Sequence, residues 1–342
     1  MKNLKKSALL ILASLFALGM FSGCSGKSES NALSIAVFVP GIMADSPTYA
    51  NLAKGVQAGV DEYNANITDE SKKAKVYIME AGTNQAEWAT KLTALAADSS
   101  YGVIISSNPS IPELADPITK EFPQQKFVLL DGAMEGNQNI ACISYDQKEQ
   151  TYLSGYISGL LSKNHKVALV AAQEYPVMNN VLYPYYALGA ADAYSGTTCD
   201  FRVVGNWYDG TKGAEITDAL AQTGVDVILP ICGGAAQGVL SSAVENGIKL
   251  AFIDENSFAK AAGTVISSCS TEQALASKEA TLAYLNGKTE WGKTRYVGIK
   301  EGYIKFIQDD PLYISSVPED VRNVMAKLVE ELTNGTREIA KP

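Results

Sequence analysis

Histidine is nearly absent from this chain. Of 342 residues only His165 is one, and it lies in the polar turn Ser162-Lys163-Asn164-His165-Lys166. A Ser-His-Asp triad or a histidine-bearing zinc site therefore has little to be built from. No Gly-x-Ser-x-Gly elbow occurs either. The five cysteines (Cys24, Cys142, Cys199, Cys232 and Cys269) show no Cys-x-x-Cys spacing. The last four sit within or beside apolar segments, where cysteine behaves as a small hydrophobe. These gaps argue against an enzyme and predict neither cofactor nor metal. Basic residues are also scarce, with 28 Lys+Arg against 37 Asp+Glu and a net charge of −9. That excludes nucleic acid, anionic lipid surfaces and extended anionic ligands as partners, because each needs a basic patch. Long apolar runs are missing as well. The one sustained stretch, Ala8 to Phe21, falls short of the roughly 20 residues a membrane-crossing helix requires.

What is present begins with that stretch. Lys2, Lys5 and Lys6 precede it, and it stops at Phe21-Ser22-Gly23-Cys24, the pattern of a cleaved secretory signal with small residues at the cut. It resembles the bacterial lipoprotein signal, in which the cysteine sulfur carries a diacylglyceryl group, although Phe21 stands where Leu is usual. The expectation is a signal peptide over 1–23, lipidation of Cys24, and a small polar tether over 24–32. This lipid anchor would hold the protein on the periplasmic face of a bacterial membrane. Loss of 1–23 removes three lysines and no acid, leaving 25 basic against 37 acidic residues and a net charge near −12.

From residue 33 short β-rich runs alternate with helical patterns. Continuous apolar runs such as Gly102-Val103-Ile104-Ile105 and Val227-Ile228-Leu229 fit strands buried on both faces of a parallel sheet. Strict alternation reads as an α/β fold of doubly wound sheets. Ten strand candidates suit two lobes better than one. The expected lobes are 33–143 plus 257–287 and 144–256 plus 288–342, with the chain crossing between them three times.

Ligands of open parallel sheets bind beyond the carboxyl ends of the strands. Those ends carry amides, aromatics and a few carboxylates here, with almost no basic residue, which suits a neutral ligand with an aromatic ring and hydroxyl groups. Trp207 is the leading ring-stacking residue, beside Tyr208 and the loop-forming Asn206 and Asp209. Tyr49 is placed to cover the ring from the other lobe. Asn108, Gln173, Asn179 and Asn180 are candidates for reading a ring's donor–acceptor edge, with helix capping an equal alternative for Asn179 and Asn180. Asp131 and Asp254 are candidates for accepting from hydroxyls. Gly233 and Gly234 would let backbone approach the ligand, with Gln237 following. Asp309-Asp310 before Pro311 reads as an acidic surface turn.

Several fragments together resemble the basic-membrane-protein family of ABC-importer substrate-binding lipoproteins. They are Phe122-Pro123-Gln124-Gln125-Lys126-Phe127 leading to Asp131, Gln147-Lys148-Glu149-Gln150 before Tyr152-Leu153-Ser154-Gly155-Tyr156, Asp209-Gly210-Thr211-Lys212-Gly213, and Gly224-Val225-Asp226-Val227-Ile228 before Gly233-Gly234 and Ile253-Asp254. The resemblance implies a two-lobed, type I periplasmic-binding-protein fold with the ligand between the lobes. It also implies a non-enzymatic, monomeric receptor working with a membrane permease and a cytoplasmic ATPase. Val39-Pro40-Gly41, Gln173 to Asn180, Gly205 to Asp209 and Glu301-Gly302-Tyr303 are similar to a riboflavin-binding branch, so riboflavin is the expected ligand and a purine nucleoside the alternative. In the nucleoside branch a lysine stands near Thr271, and this chain lacks it. An extracytoplasmic nucleosidase or hydrolase and a structural or adhesive surface lipoprotein are the competing classes.

Overall fold

The computed structural model describes residues 33–342. The expected signal peptide, Cys24 and the tether over 24–32 lie outside the described residues. Twelve strands form two six-stranded sheets among them. The first contains β1 (Ser34–Val39), β2 (Lys75–Glu80), β3 (Val103–Ser107), β4 (Lys126–Leu130), β5 (Ile140–Tyr145) and β11 (Thr294–Val297), in the order β11-β5-β4-β3-β1-β2. The second contains β6 (Lys166–Ala171), β7 (Thr198–Val203), β8 (Val227–Ile231), β9 (Lys249–Phe252), β10 (Val265–Thr271) and β12 (Ile304–Phe306), in the order β12-β10-β9-β8-β6-β7. The two orders are the same walk carried out twice. All pairings are parallel except β10 with β12.

Burial follows position in the sheet. The central β1 is apolar and buried from Ile35 to Val39, whereas the edge strand β2 exposes Lys75, Tyr77 and Ile78. In each sheet the topological switch lies beside the first strand, between β1 and β3 and between β6 and β8. The loops after these strands therefore open into a crevice where a ligand can enter.

Helices cover the sheets. They are α1 (Pro47–Asn64), α2 (Trp88–Ala97), α3 (Ile111–Glu121), α4 (Gln147–Leu161), α5 (Tyr183–Ala193), α6 (Gly210–Gln222), α7 (Ala236–Asn246), α8 (Gln273–Leu285), α9 (Pro311–Ser316) and α10 (Glu319–Asn334). Three helix pairs pack closely through glycine, one of them α6 with α7, where a methyl at Gly238 would overlap the Gly210 carbonyl. A methyl at Gly55 of α1 would overlap the Ala274 carbonyl and Ser277 hydroxyl of α8, and one at Gly155 of α4 would overlap the Tyr186 carbonyl of α5. Where backbones come this close, no side chain larger than hydrogen fits.

The sheets move the expected lobe edges. β10 belongs to the second sheet and β11 to the first, so 257–271 and 288–297 lie opposite to their predicted assignments. The chain crosses near residues 146, 272 and 298–303. The strands β11 and β12 escaped the sequence reading because four- and three-residue strands carry too little periodicity. The acidic turn before Pro311 is a helix start instead: Asp310 Oδ1 accepts the Leu312 N–H at 2.8 Å, capping α9. Cys142, Cys199, Cys232 and Cys269 are free thiols, three of them fully buried. His165 stacks on Tyr194 with 3.6 Å between ring centroids.

Replacing Gly155 by Val should push α4 and α5 apart. The expected loss is at least about 1–3 kcal/mol, read as a lower urea midpoint with the slope unchanged. An unaltered midpoint would show that the close α4–α5 approach carries no stability.

Candidate ligand-binding cleft

Asp131 follows β4 and Asp254 follows β9, the strands at the same place in the two sheets. Both residues adopt left-handed backbone, with φ of 55° and 73°. Non-glycine residues rarely do so, and the strain of about 1–3 kcal/mol each clusters at functional sites. Helix α4 restrains both carboxyls. Gln147 Nε2 donates to Asp131 Oδ1 at 2.9 Å, and Gln150 Nε2 donates to Asp254 Oδ1 at 2.9 Å. The spacing of three residues puts both amides on one face of the helix. Gln150 also closes a loop with its own acid, because the Asp254 N–H donates to its Oε1 at 3.3 Å.

Between these groups lies a cavity of about 50 Å³ lined by Thr48, Asp131, Tyr145, Gln147, Asp254, Thr271 and Gln273. None of them is basic. Burial and the neighbouring Asp254 charge push the Asp131 carboxyl up to about 7, against the donation from Gln147. Asp254 is raised by crowding too, with Gln150 opposing and Glu255 adding. The residue as a whole remains exposed, so water moderates its shift. A broader depression of about 740 Å³, lined by Asp116, Lys120 and the 134–139 loop, opens on the flank of the first lobe. It is shallow and remote from the strand ends that converge, so the small cavity is the chemically organised one.

Aromatic rings flank the carboxylates. Tyr49, on the first turns of α1, lies against Gly41, and its hydroxyl accepts from Asn108 Nδ2 at 3.1 Å. The Asn108 Oδ1 is taken by the Ser110 N–H at 2.9 Å, so Asn108 fixes the ring and its own turn. The charge of Asp131 and the Tyr208 hydroxyl of the opposite lobe both raise Tyr49, after burial. Across the cleft Tyr175 and Trp207 pack with centroids 6.4 Å apart. Tyr175 is pushed up by burial and, after it, by the Asp254 and Asp131 charges. Trp207 is half-buried and Tyr208 is 72% exposed. Asn206 Oδ1 accepts from the Tyr208 and Asp209 N–H groups, both at 2.8 Å, and Asp209 caps α6.

Other expected residues sit differently. Gly233 and Gly234 do face an approaching group, but it is protein. A methyl at Gly233 would stand 3.1 Å from Trp207 Cε3, and one at Gly234 would stand 3.3 Å from Tyr208 Cδ1. The left-handed φ of 57° at Gly233 makes room for the aromatic pair. Gln173 turns toward Gly205 at 3.4 Å, and Asn179 donates to Glu174 at 3.1 Å within a wide helical turn over Met178–Leu182. Asn179 and Asn180 lie inside that turn, so neither is its cap. Gln173, Asn179, Asn180 and Gln237 are exposed and do not line the Asp131–Asp254 cavity. Tyr145, Gln147, Gln150, Thr271 and Gln273 do the work nearest the acids yet were not read as site residues. Their signal was positional: each lies within a few residues of a crossover between sheets.

The third crossover is held from the same helix. Glu149 Oε2 accepts the Ile299 N–H at 2.7 Å, and Glu301 Oε2 accepts the Gly298 N–H at 2.9 Å. Burial pushes the Glu149 carboxyl up to about 7.

The sequence matches the family model described as "ABC transporter substrate-binding protein PnrA-like" over residues 32–337. It is 22% identical over 330 residues to basic membrane protein A2 of Borrelia garinii subsp. bavariensis, covering 94% of each chain. Over 222 residues it is 23% identical to a Lactococcus lactis subsp. cremoris protein named ABC transporter nucleoside-binding protein BmpA, covering 65% of this chain and 61% of that one. A solute-binding protein of an ABC transporter system from Aeropyrum pernix K1 superposes with a TM-score of 0.73 at 17% identity, covering 90% of this chain and 93% of the other. A transcriptional activator of the comK gene from Bacillus halodurans superposes at 0.69 with 18% identity, covering 90% and 100%. At these identities the superpositions speak for the fold.

The acid pair generates a pH signature. Because Asp131 titrates near 7 when folded and near 3.9 when unfolded, the folded state holds a proton that the unfolded state has released. Stability therefore falls as pH rises from about 4 to 7 and levels off above. Asp131→Asn, which tolerates the left-handed backbone and still accepts from Gln147, should melt higher than the unsubstituted ligand-free protein at pH 8. The two should converge toward pH 4–5. Parallel melting profiles across this range would refute the burial of the acid.

Proposed function

The chain belongs to the family of PnrA-like ABC transporter substrate-binding proteins, and from that premise we propose that it captures a nucleoside, a purine nucleoside foremost, for import. The carrying observation is the pairing of an aromatic wall (Tyr49, Tyr175, Trp207) with two strand-end carboxylates and no basic residue in the cavity lining. A flat base stacks on the rings, and neutral hydroxyls donate to Asp131 and Asp254. A phosphate would meet two acids and no cation, which disfavours nucleotides. The relative named as nucleoside-binding supports this ligand over riboflavin, for which the relatives described above offer no counterpart. Riboflavin shares a flat ring with a hydroxylated chain and is the natural competitor in a test.

Capture proceeds by closure of the lobes about the three crossovers, and the closed form is offered to a permease driven by a cytoplasmic ATPase. The protein works outside the cytoplasm, held by lipid on Cys24. No helix among the described residues is long and apolar enough to cross a membrane. The reading is capture without turnover, in keeping with the substrate-binding family, and burial pushes the Cys232 and Cys269 thiols up to about 12, away from nucleophilic thiolate.

Titration of the purified protein with guanosine, adenosine, inosine and riboflavin, followed by calorimetry and tryptophan fluorescence, tests this. A purine nucleoside should bind tightest. Trp207→Ala should weaken it about 5- to 150-fold, given roughly 1–3 kcal/mol for base–aromatic stacking, while Trp207→Phe retains most of the affinity. Tighter binding of riboflavin would reverse the ligand assignment, and release of free base from a bound nucleoside would reverse the assignment as a receptor.

A further inference from the structure

Glu149 stands in the first turn of α4 with Gln147 and Gln150 on either side in sequence, yet it does not line the cavity. Its carboxyl lies against the third crossover instead. Glu149 Oε2 accepts the Ile299 N–H at 2.7 Å, and a methyl at Gly298 would overlap that same oxygen and stand 3.0 Å from Cδ and Oε1. The carboxyl therefore fills the space that a side chain at 298 would need. The φ of Gly298 is not positive, so the backbone there would accept alanine. Only the carboxyl forbids the methyl.

The segment it grips is where the crossovers meet. The Asp146 N–H donates to the Val297 carbonyl at 2.8 Å, joining the first crossover to the third. The Glu272 N–H donates to the Tyr303 carbonyl at 2.8 Å, joining the second to the third. Between them the chain closes on itself, with Gly302 N–H donating to Ile299 and Tyr303 N–H to Gly298, at 3.0 and 2.9 Å. Glu301 Oε2 takes the Gly298 N–H within the same turn. Glu149 fastens this closed turn, through a side chain, to the helix whose amides hold Asp131 and Asp254. The neighbouring Lys148 is engaged by Asp146 at 2.7 Å, so the partner the structure gives Glu149 is the crossover amide.

We propose that Glu149 is a positioning residue for capture: by clasping the third crossover it sets the resting arrangement of the lobes, and with it the affinity of every ligand by one common factor, while touching none of them. The inference rests on the reading above that the lobes close about the crossovers. A hinge held near its binding arrangement has less freedom to lose when a ligand arrives. Releasing the clasp lowers the competent fraction, and the apparent dissociation constant rises by the inverse of that fraction. A residue in contact with ligand would instead affect each ligand according to its chemistry.

Two readouts test this on the unsubstituted protein, Glu149→Ala, Glu149→Gln, Gly298→Ala and the double variant Glu149→Ala/Gly298→Ala. One is calorimetry with guanosine, adenosine and riboflavin. The other is the distance between spin labels at the exposed Glu113 of α3 and Glu215 of α6, read without ligand. Glu149→Ala should weaken every ligand that binds by about 10- to 100-fold, the scale of one charge-assisted hydrogen bond, with the factors equal to within about threefold. It should also broaden the ligand-free distance. Glu149→Gln keeps an acceptor for Ile299 and should restore both readouts. Gly298→Ala retains Glu149 but displaces its carboxyl, so it should match Glu149→Ala, and the double variant should be no worse than either. Unequal factors among ligands, an unchanged distance in Glu149→Ala, a Glu149→Gln that behaves as Glu149→Ala, or additive losses in the double variant overturn the clasp. The distance needs no ligand, so it judges the clasp even where guanosine fails to bind, a result that overturns the nucleoside reading alone.

Discussion

Asp131 and Asp254 bring like charge into one crowded space, and each is steadied by an amide from the same face of α4. Much else in the cleft follows from that arrangement. The strained backbone at both positions turns the carboxyls off the ends of their strands, and burial first, with the Asp254 charge second, raises the affinity of Asp131 for a proton. A ligand that donates hydroxyl hydrogens relieves this, whereas one that brings more negative charge aggravates it. The aromatic residues are then free to recognise a ring without also handling charge.

Helix α4 is the organising element because it starts where the chain first changes lobes. Its Gln147 reaches back to the first sheet, Gln150 holds the second, and Glu149 fixes the third crossover through Ile299. Three neighbouring side chains thus tie both acids and a hinge strand to one rigid rod, packed on α5 through glycine. Movement of one lobe against the other is felt at the acid pair directly.

Much of this was legible in the chain itself. The continuous apolar runs marked the buried central strands, and the polar residues just beyond them, Asp131 and Asp254 among these, stand out because strands need no polar residue at those positions. The pairing Gln147–Asp131 was not legible. It joins residues whose proximity depends on a crossover, and nothing in local periodicity distinguishes a glutamine facing an acid from one facing water. Nor are the local partners of Gln173 and Asn179 legible: their amides suit a ring edge, and in the structure Gln173 donates to the Gly205 carbonyl and Asn179 to Glu174. The lobe edges went astray for a related reason. Whether β10 and β11 join one sheet or the other is decided by pairing across long sequence separations, which composition does not record.

The exchange of β10 and β11 between sheets also bears on how the chain is made. The first sheet lacks its outer strand until Thr294–Val297 exists, and the second lacks its own until Ile304–Phe306. Helix α1 has no partner for its glycine face until α8 is available. Neither lobe can therefore finish folding while the ribosome still holds the last fifty or so residues, an order-of-magnitude consequence of contacts this remote in sequence. A polypeptide that stays pliable through nearly all of its synthesis remains fit for threading through a narrow protein-conducting pore.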